Sequence, residues 1–195
     1  MSIGDRIGGE DSRLPPAMRR VHQSRCARAL AIDLLAAQGC VTDAIGKGPA
    51  GDPVWPAGFV GSLSHTESYA AAVVARDRHC KALGIDVEPD LPLPPDTDGL
   101  ILRDEERLWL AGLAGAHAGA DRLLFCAKEC VHKAIHPLRG AWLDFQDVWI
   151  EVDPVAGSFT PRPASAAAEK AFQGLQTQGR YVRTQGQLLA VLAVF

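Results

Sequence analysis

The chain has no C-x-x-C pair, and its five cysteines are an odd number with no secretory signal ahead of them. Free thiols in a reducing cytoplasm are therefore expected, not a disulfide framework. Cys126 and Cys130 would be neighbours on a helix, but without a matching His/Cys pair they do not make a zinc site. No apolar run approaches the ~18 residues of a spanning helix, which excludes a helical membrane protein. Positive charge is not in excess either: 20 Lys and Arg face 23 Asp and Glu, for a net charge of -3, which argues against general nucleic-acid affinity. Any anionic ligand must meet local positive charge. Gly46-Lys47-Gly48 lacks the glycine spacing and the following Ser or Thr of a phosphate-binding loop. No Ser-His-Asp spacing or activated cysteine environment supplies a protein nucleophile. What is present is an ordinary globular composition, 47% hydrophobic and 22% charged over 195 residues, enough for one domain or two small halves with a real core.

Two stretches carry the chemistry. Leu124-Phe-Cys-Ala-Lys-Glu-Cys-Val-His-Lys-Ala-Ile135 places two lysines and a glutamate inside an apolar run that reads as a helix. On it Glu129 and Lys133 are i,i+4 neighbours, with Lys128 about 100° round from Glu129. An amphipathic helix with an ordinary salt bridge would account for this much. In Lys81-Ala-Leu-Gly-Ile-Asp-Val-Glu88, Leu83, Ile85 and Val87 alternate with Gly84, Asp86 and Glu88. On a strand the two carboxylates would project from one face, roughly 7 Å apart. A charged outer face explains that pattern as well. Like charges so placed repel, however, and a hard divalent cation such as magnesium or manganese would relieve them, with Glu129 as a third ligand if the helix crosses the strand end.

In chain order, residues 1 to 16 are rich in Gly, Pro and charge and are expected to be poorly ordered. Met18 to Gln38 reads as a helix stopped at Gly39, with Arg19, Arg20, Arg25 and Arg28 in its first half, suited either to solvent or to phosphate. The Gly- and Pro-rich stretch from Ile45 to Pro56 is a loop, Gly61 to Thr66 a short polar turn or strand end, and Tyr69 to Ala75 a buried strand. Pro89 to Pro95 is a stiff link between halves. Asp98 to Leu110 reads as one charged helix, Ala111 to Ala120 as loop or weak helix end, and Pro137 to Gly140 as a turn. Trp142 to Val152 has strand character, and Tyr181 to Phe195 reads as a hairpin around Gln185-Gly186.

Together these parts could hold and cleave a phosphoanhydride, with the nucleophile arriving on a second substrate. Gly61-Ser-Leu-Ser-His65, Gly84-Ile-Asp-Val-Glu88 and Phe125-Cys-Ala-Lys-Glu-Cys-Val-His-Lys133 resemble, in this order, the three signatures of the 4'-phosphopantetheinyl transferases. The likeness extends over roughly residues 20 to 150 and is strongest to the enterobactin synthase component D branch of the surfactin-type group. The resemblance implies an α+β fold of two similar halves, 1–97 and 98–195, each with a small, mostly antiparallel sheet and packing helices. It also implies transfer of phosphopantetheine from coenzyme A to a serine of an apo acyl or peptidyl carrier protein, releasing adenosine 3',5'-bisphosphate. Asp86, Glu88 and Glu129 would ligate magnesium, Glu129 would take the serine proton, and Lys133, helped by Lys128, would contact the pyrophosphate. Ser64 and His65 would lie near the coenzyme A phosphates, and Arg25, Arg28 and Lys47 would give basic contacts to the nucleotide. A monomer is expected. Two other classes use some of the same residues: a magnesium-dependent phosphohydrolase acting on a nucleotide pyrophosphate, and a non-catalytic carrier-binding module.

Overall fold

The computed structural model describes residues 2–6, 15–49, 51–113 and 119–195. Two antiparallel sheets form the molecule, and the line where they meet positions the chemistry. The first has the order β1-β5-β4, with β1 Ser2–Arg6, β4 Phe59–His65 and β5 Tyr69–Arg76; a two-residue ladder, β2 Gly46–Lys47 with β3 Pro53–Val54, stands apart. The second has the order β6-β10-β9-β8-β7, with β6 Ala82–Pro89, β7 Val148–Asp153, β8 Ser158–Pro163, β9 Thr177–Thr184 and β10 Gln187–Val194. The helices are α1 Pro16–Ala36, α2 Asp98–Ile101, α3 Asp104–Gly112, α4 Ala120–Arg139 and α5 Ala166–Phe172.

α1 starts at a proline, whose missing N–H is no loss in a first turn, and ends before Gly39 at φ 78°. Its buried side chains Gln23, Ala27, Ala31 and Leu35 recur every fourth residue and make one stripe. The alanine-rich β5 is buried on both faces: Ala70 and Ala72 meet α1, while Tyr69, Ala71 and Val73 meet Leu83, Ile85 and Val87 of β6. β6 thus alternates as expected, its apolar side against the first sheet and Gly84, Asp86 and Glu88 on the other face. β9 and β10 form the expected hairpin, with Gln185 and Gly186 both at positive φ, the backbone of a type I' turn.

Several elements depart from expectation for identifiable reasons. Ser2–Arg6 form a strand on β5, and residues 7–14 lie outside the described residues. Gly61 to His65 is strand because Ser62 and Ser64 face β6: their hydroxyls accept from Ile85 N (3.1 Å) and Val87 N (3.3 Å), substituting for ladder carbonyls where the two sheets meet. β6 hydrogen-bonds to β10, so the strand carrying Asp86 and Glu88 pairs within the second sheet. The helix expected over 98–110 is broken at Leu102, which turns extended to bury its side chain. A capping box follows, with Glu106 accepting from Arg103 N at 2.8 Å. α4 runs through Pro137 and stops only at Gly140, φ 64°. Of the low-complexity stretch from Ala111 to Ala120, Ala111 and Gly112 end α3 and Ala120 opens α4, while residues 114–118 lie outside the described residues.

Gly84 fixes how closely α4 approaches β6. A Cβ there would lie 2.0 Å from the Cys130 carbonyl oxygen, so the helix backbone rests directly on the strand. Gly84→Ala is expected to destabilise the protein by about 2–3 kcal/mol, because backbone cannot move aside as a side-chain tip can. A denaturant midpoint unchanged from wild type would contradict this packing.

Candidate active site

α4 lies across β6 and β10, and its stripe Arg122, Cys126, Glu129, Lys133 runs along the polar face of β6. Lys133 does not pair with its helical neighbour Glu129. Its ammonium donates to Asp86 Oδ1 at 2.6 Å, Ile85 O at 3.1 Å and Ser64 Oγ at 3.2 Å. Burial pulls the Lys133 pKa down, but the charge of Asp86 and the hydrogen bond to it outweigh that and hold it above the ordinary lysine value. Ser64 also donates to Asp86 Oδ1 at 2.8 Å. Asp86 is buried, and its other oxygen, Oδ2, has no hydrogen-bond partner. The Cys126 thiol interacts with this carboxylate, yet a thiol is a weak donor and does not reach hydrogen-bond geometry at Oδ2.

The other two carboxylates answer to Asp86 electrostatically. Glu88 is half-buried and accepts from Arg122 Nη1 at 3.1 Å. Burial, then repulsion from Asp86, push its pKa up against the pull of Arg122. Glu129 is raised by the same two causes with only Lys133 opposing, and no hydrogen bond or ion pair fixes its carboxylate among the described residues. Three hard oxygen donors with mutual repulsion, one of them holding a buried unpartnered oxygen, fit a divalent cation in chemistry. As the side chains stand, no group of three or more His, Cys, Asp or Glu among the described residues is placed to hold a metal ion.

His65 ends β4 beside this cluster. Burial, then the charges of Lys133 and Arg20, lower its pKa, with Asp86 opposing, so at neutral pH it is uncharged. Arg28 donates to the carbonyls of Ile45 (2.9 Å) and Gly46 (3.0 Å), bracing the β2 loop, whereas Arg25 and Lys47 are exposed. Lys128 is turned away from all of these. Its side chain is 2% exposed, and the ammonium donates to Ile101 O (2.7 Å), Glu106 Oε2 (2.7 Å) and Phe145 O (2.9 Å). All three of its protons have interior acceptors, and the 100° rotation from Glu129 carries its ammonium into the core.

Two depressions flank the exposed edge of α4. A groove of about 510 Å³ between β4, β6 and α4 is lined by Trp55, Ser62, Lys81, Leu83 and Lys133 among others. A recess of about 380 Å³ is lined by Glu129, Val131, Leu143 and Phe145. His132 and Trp142 border both, their rings 4.7 Å apart edge to face. Sequence reasoning passed over Arg122, although its i,i+7 spacing to Glu129 places it on the same face. It also passed over the His132–Trp142 pair, which no periodicity announces.

A family model described as the 4'-phosphopantetheinyl transferase N-terminal domain matches residues 16–75, and one for the 4'-phosphopantetheinyl transferase superfamily matches residues 82–186. The 4'-phosphopantetheinyl transferase Svp of Streptomyces mobaraensis is 38% identical over 90% of this chain and 73% of its own. The 4'-phosphopantetheinyl transferase Npt of Nocardia iowensis is 37% identical over 77% and 71% respectively. Enterobactin synthase component D of Escherichia coli (strain K12) is 40% identical over 48% of this chain and 45% of its own. A solved structure titled as an ACPS-CoA complex of Chronobacterium ammoniagenes aligns with 58% of this chain and 95% of that one at 15% identity and a TM-score of 0.46, a likeness too loose to carry an argument. With residues 16–75 and 82–186 matched by the two models and Svp aligned along nine-tenths of the sequence, the chain belongs to the 4'-phosphopantetheinyl transferase superfamily.

Proposed function

We propose that this transferase takes the phosphopantetheine arm from coenzyme A, places it on a serine hydroxyl of an apo acyl or peptidyl carrier protein, and releases adenosine 3',5'-bisphosphate. The observation that carries the reading is the charged cluster at the sheet junction: a buried Asp86 bonded to Lys133, with Glu88 and an unfixed Glu129 nearby. Lys133 borders the groove, as does Lys81, and would be the cation of α4 that a pyrophosphate there meets. Glu129 borders the recess and holds a proton more readily than an ordinary carboxylate, as suits a group that accepts one from a serine hydroxyl. Magnesium, or manganese in its place, held by Asp86, Glu88 and Glu129, would supply charge neutralisation at the pyrophosphate and the departing nucleotide.

His65 and Ser64 would lie near a coenzyme A phosphate, and the exposed Arg25 and Lys47 would contact the nucleotide; Arg28 would reach it only by leaving the loop it braces. In this division residues 1–97 give most nucleotide contacts and 98–195 the catalytic helix. One chain then holds both sides of the cleft, which favours a monomer. Among the described residues no helix is long and apolar enough to cross a membrane; we place the work in the cytoplasm, where coenzyme A is.

Incubation with coenzyme A, magnesium and a panel of apo carrier proteins should add the mass of the arm to a carrier serine. Consumption of coenzyme A without any carrier, leaving every carrier unmodified, would instead indicate the phosphohydrolase. A second prediction concerns His65. A phosphate beside it would raise its lowered pKa, so coenzyme A binding near pH 6.5 is expected to take up part of a proton, up to about one. Calorimetry in buffers of different ionisation enthalpy reads this directly, and His65→Gln should abolish it. Uptake undiminished in that variant would remove His65 from the phosphate site.

A further inference from the structure

His132 and His136 stand one turn apart on α4, and their imidazole rings stack with centres 5.3 Å apart and planes 8° from parallel. The same i,i+4 spacing lets two imidazoles on a helix chelate a single ion. An ion about 2.0–2.1 Å from one nitrogen of each ring, at an angle near tetrahedral, sets the ring centres roughly 5 Å apart, which is the spacing already present. Only a turn about χ2, a soft torsion in histidine, is needed to aim both nitrogens at one point. His136 is braced for this role. Its Nδ1 lies 3.3 Å from the Ala141 carbonyl and can only donate to it, which leaves the lone pair of the neutral ring on Nε2. A carbonyl behind the ring is the usual support of a metal-bound histidine. His132 keeps a lone pair for another reason: burial, then the charges of His136 and Lys133, lower its pKa, so the ring is neutral at pH 7. Lys133, its neighbour in sequence, is itself offset by Asp86 at 2.6 Å. Trp142, 74% exposed, packs edge to face against His132 at 4.7 Å and His136 at 5.5 Å. All three side chains line the groove, and none has a part in the reaction proposed above.

We propose that His132 and His136 form a chelating site for one borderline transition-metal ion, zinc, nickel or copper(II), separate from the acidic cluster. Neutral imidazole suits these ions, whereas magnesium takes hard oxygen, so the two places sort ions by donor chemistry. Among the described residues no third His, Cys, Asp or Glu completes a cage, so water fills the remaining positions and copper binds more tightly than nickel or zinc. The ion sits beside the Trp142 ring, on the wall that the groove shares with the neighbouring recess.

Nickel titrated into the full chain in excess magnesium, read by tryptophan emission and by calorimetry, tests this. A paramagnetic ion quenches an indole beside it, so nickel should remove the emission of Trp142, and zinc, which does not quench, should restore it by displacement. His132→Gln and His136→Gln are each expected to weaken nickel binding by at least about tenfold, because one imidazole alone cannot chelate. Both side chains are only partly buried, so either change leaves the core intact. Trp142→Phe should abolish the quenching while leaving the calorimetric affinity unchanged, which places the ion without altering a ligand. Nickel affinity unchanged in both histidine variants, quenching undiminished in Trp142→Phe, or no nickel bound by wild type would each overturn the proposal. Neither coenzyme A nor a carrier protein is present in these measurements, so their outcome is independent of the transferase reading.

Discussion

Glu129→Gln is expected to lower kcat for arm transfer by about 10³-fold while leaving the melting temperature within about 1 °C of wild type. Among the described residues the carboxylate makes no hydrogen bond or ion pair that folding depends on, and the amide has the same shape. The loss would come from two roles at once: an amide accepts no proton from the serine and is a poor ligand for a hard cation. Steady-state kinetics should show the fall in kcat with KM for coenzyme A changed less, since Lys133 and the nucleotide contacts remain. Asp86→Asn removes the same activity less cleanly, because it also strands the Lys133 ammonium beside a neutral partner. A Glu129→Gln enzyme with near-normal turnover would remove this residue from the reaction.

The largest effect on stability is expected at Lys128, which the resemblance assigned to the ligand, and its partner Glu106. Lys128 and Glu106 meet at 2.7 Å with side chains 2% and 0% exposed, so solvent screens almost none of their interaction. Glu106 further accepts from Arg103 N and Ile150 N, each at 2.8 Å. The pair therefore ties the α2–α3 corner, the turn at Phe145, β7 and α4 together. Burial pulls the Lys128 pKa down, against the raising influence of Glu106. Glu106→Ala leaves a buried ammonium and two backbone donors unpaired, and is expected to cost about 3–5 kcal/mol, roughly 10 °C in melting temperature for a protein of this size. The double change Glu106→Leu with Lys128→Met removes both charges and should recover much of that loss. If the double variant were no more stable than Glu106→Ala, packing and not charge would be the larger part of the contribution.

The fold was legible wherever periodicity had one physical cause. α1, β5, β6 and the β9–β10 hairpin follow from a four-residue stripe, a continuous apolar run, a strict alternation and a turn dipeptide that accepts positive φ. It was least legible where tertiary contacts decide. The Gly61 to His65 segment looks like a polar turn because its serines are polar; it is a strand because they act as acceptors for the neighbouring strand. The break in the 98–110 helix depends on burying Leu102, which local pattern does not reveal. For the candidate site, alternation put Asp86 and Glu88 on one face and helical spacing put Glu129 and Lys133 on one side. Neither could tell that Lys133 would choose Asp86 across the interface over Glu129 along the helix, nor that Lys128 would turn inward.

The most direct measurement is a crystal structure of the full chain with coenzyme A and manganese, read by anomalous scattering. An anomalous peak about 2.1 Å from Asp86 Oδ2 is expected, with Glu88 and Glu129 completing the set and Lys133 moved from Asp86 to the pyrophosphate. A manganese peak elsewhere, or coenzyme A bound with the Lys133–Asp86 pair still intact and no ion beside it, would contradict the account.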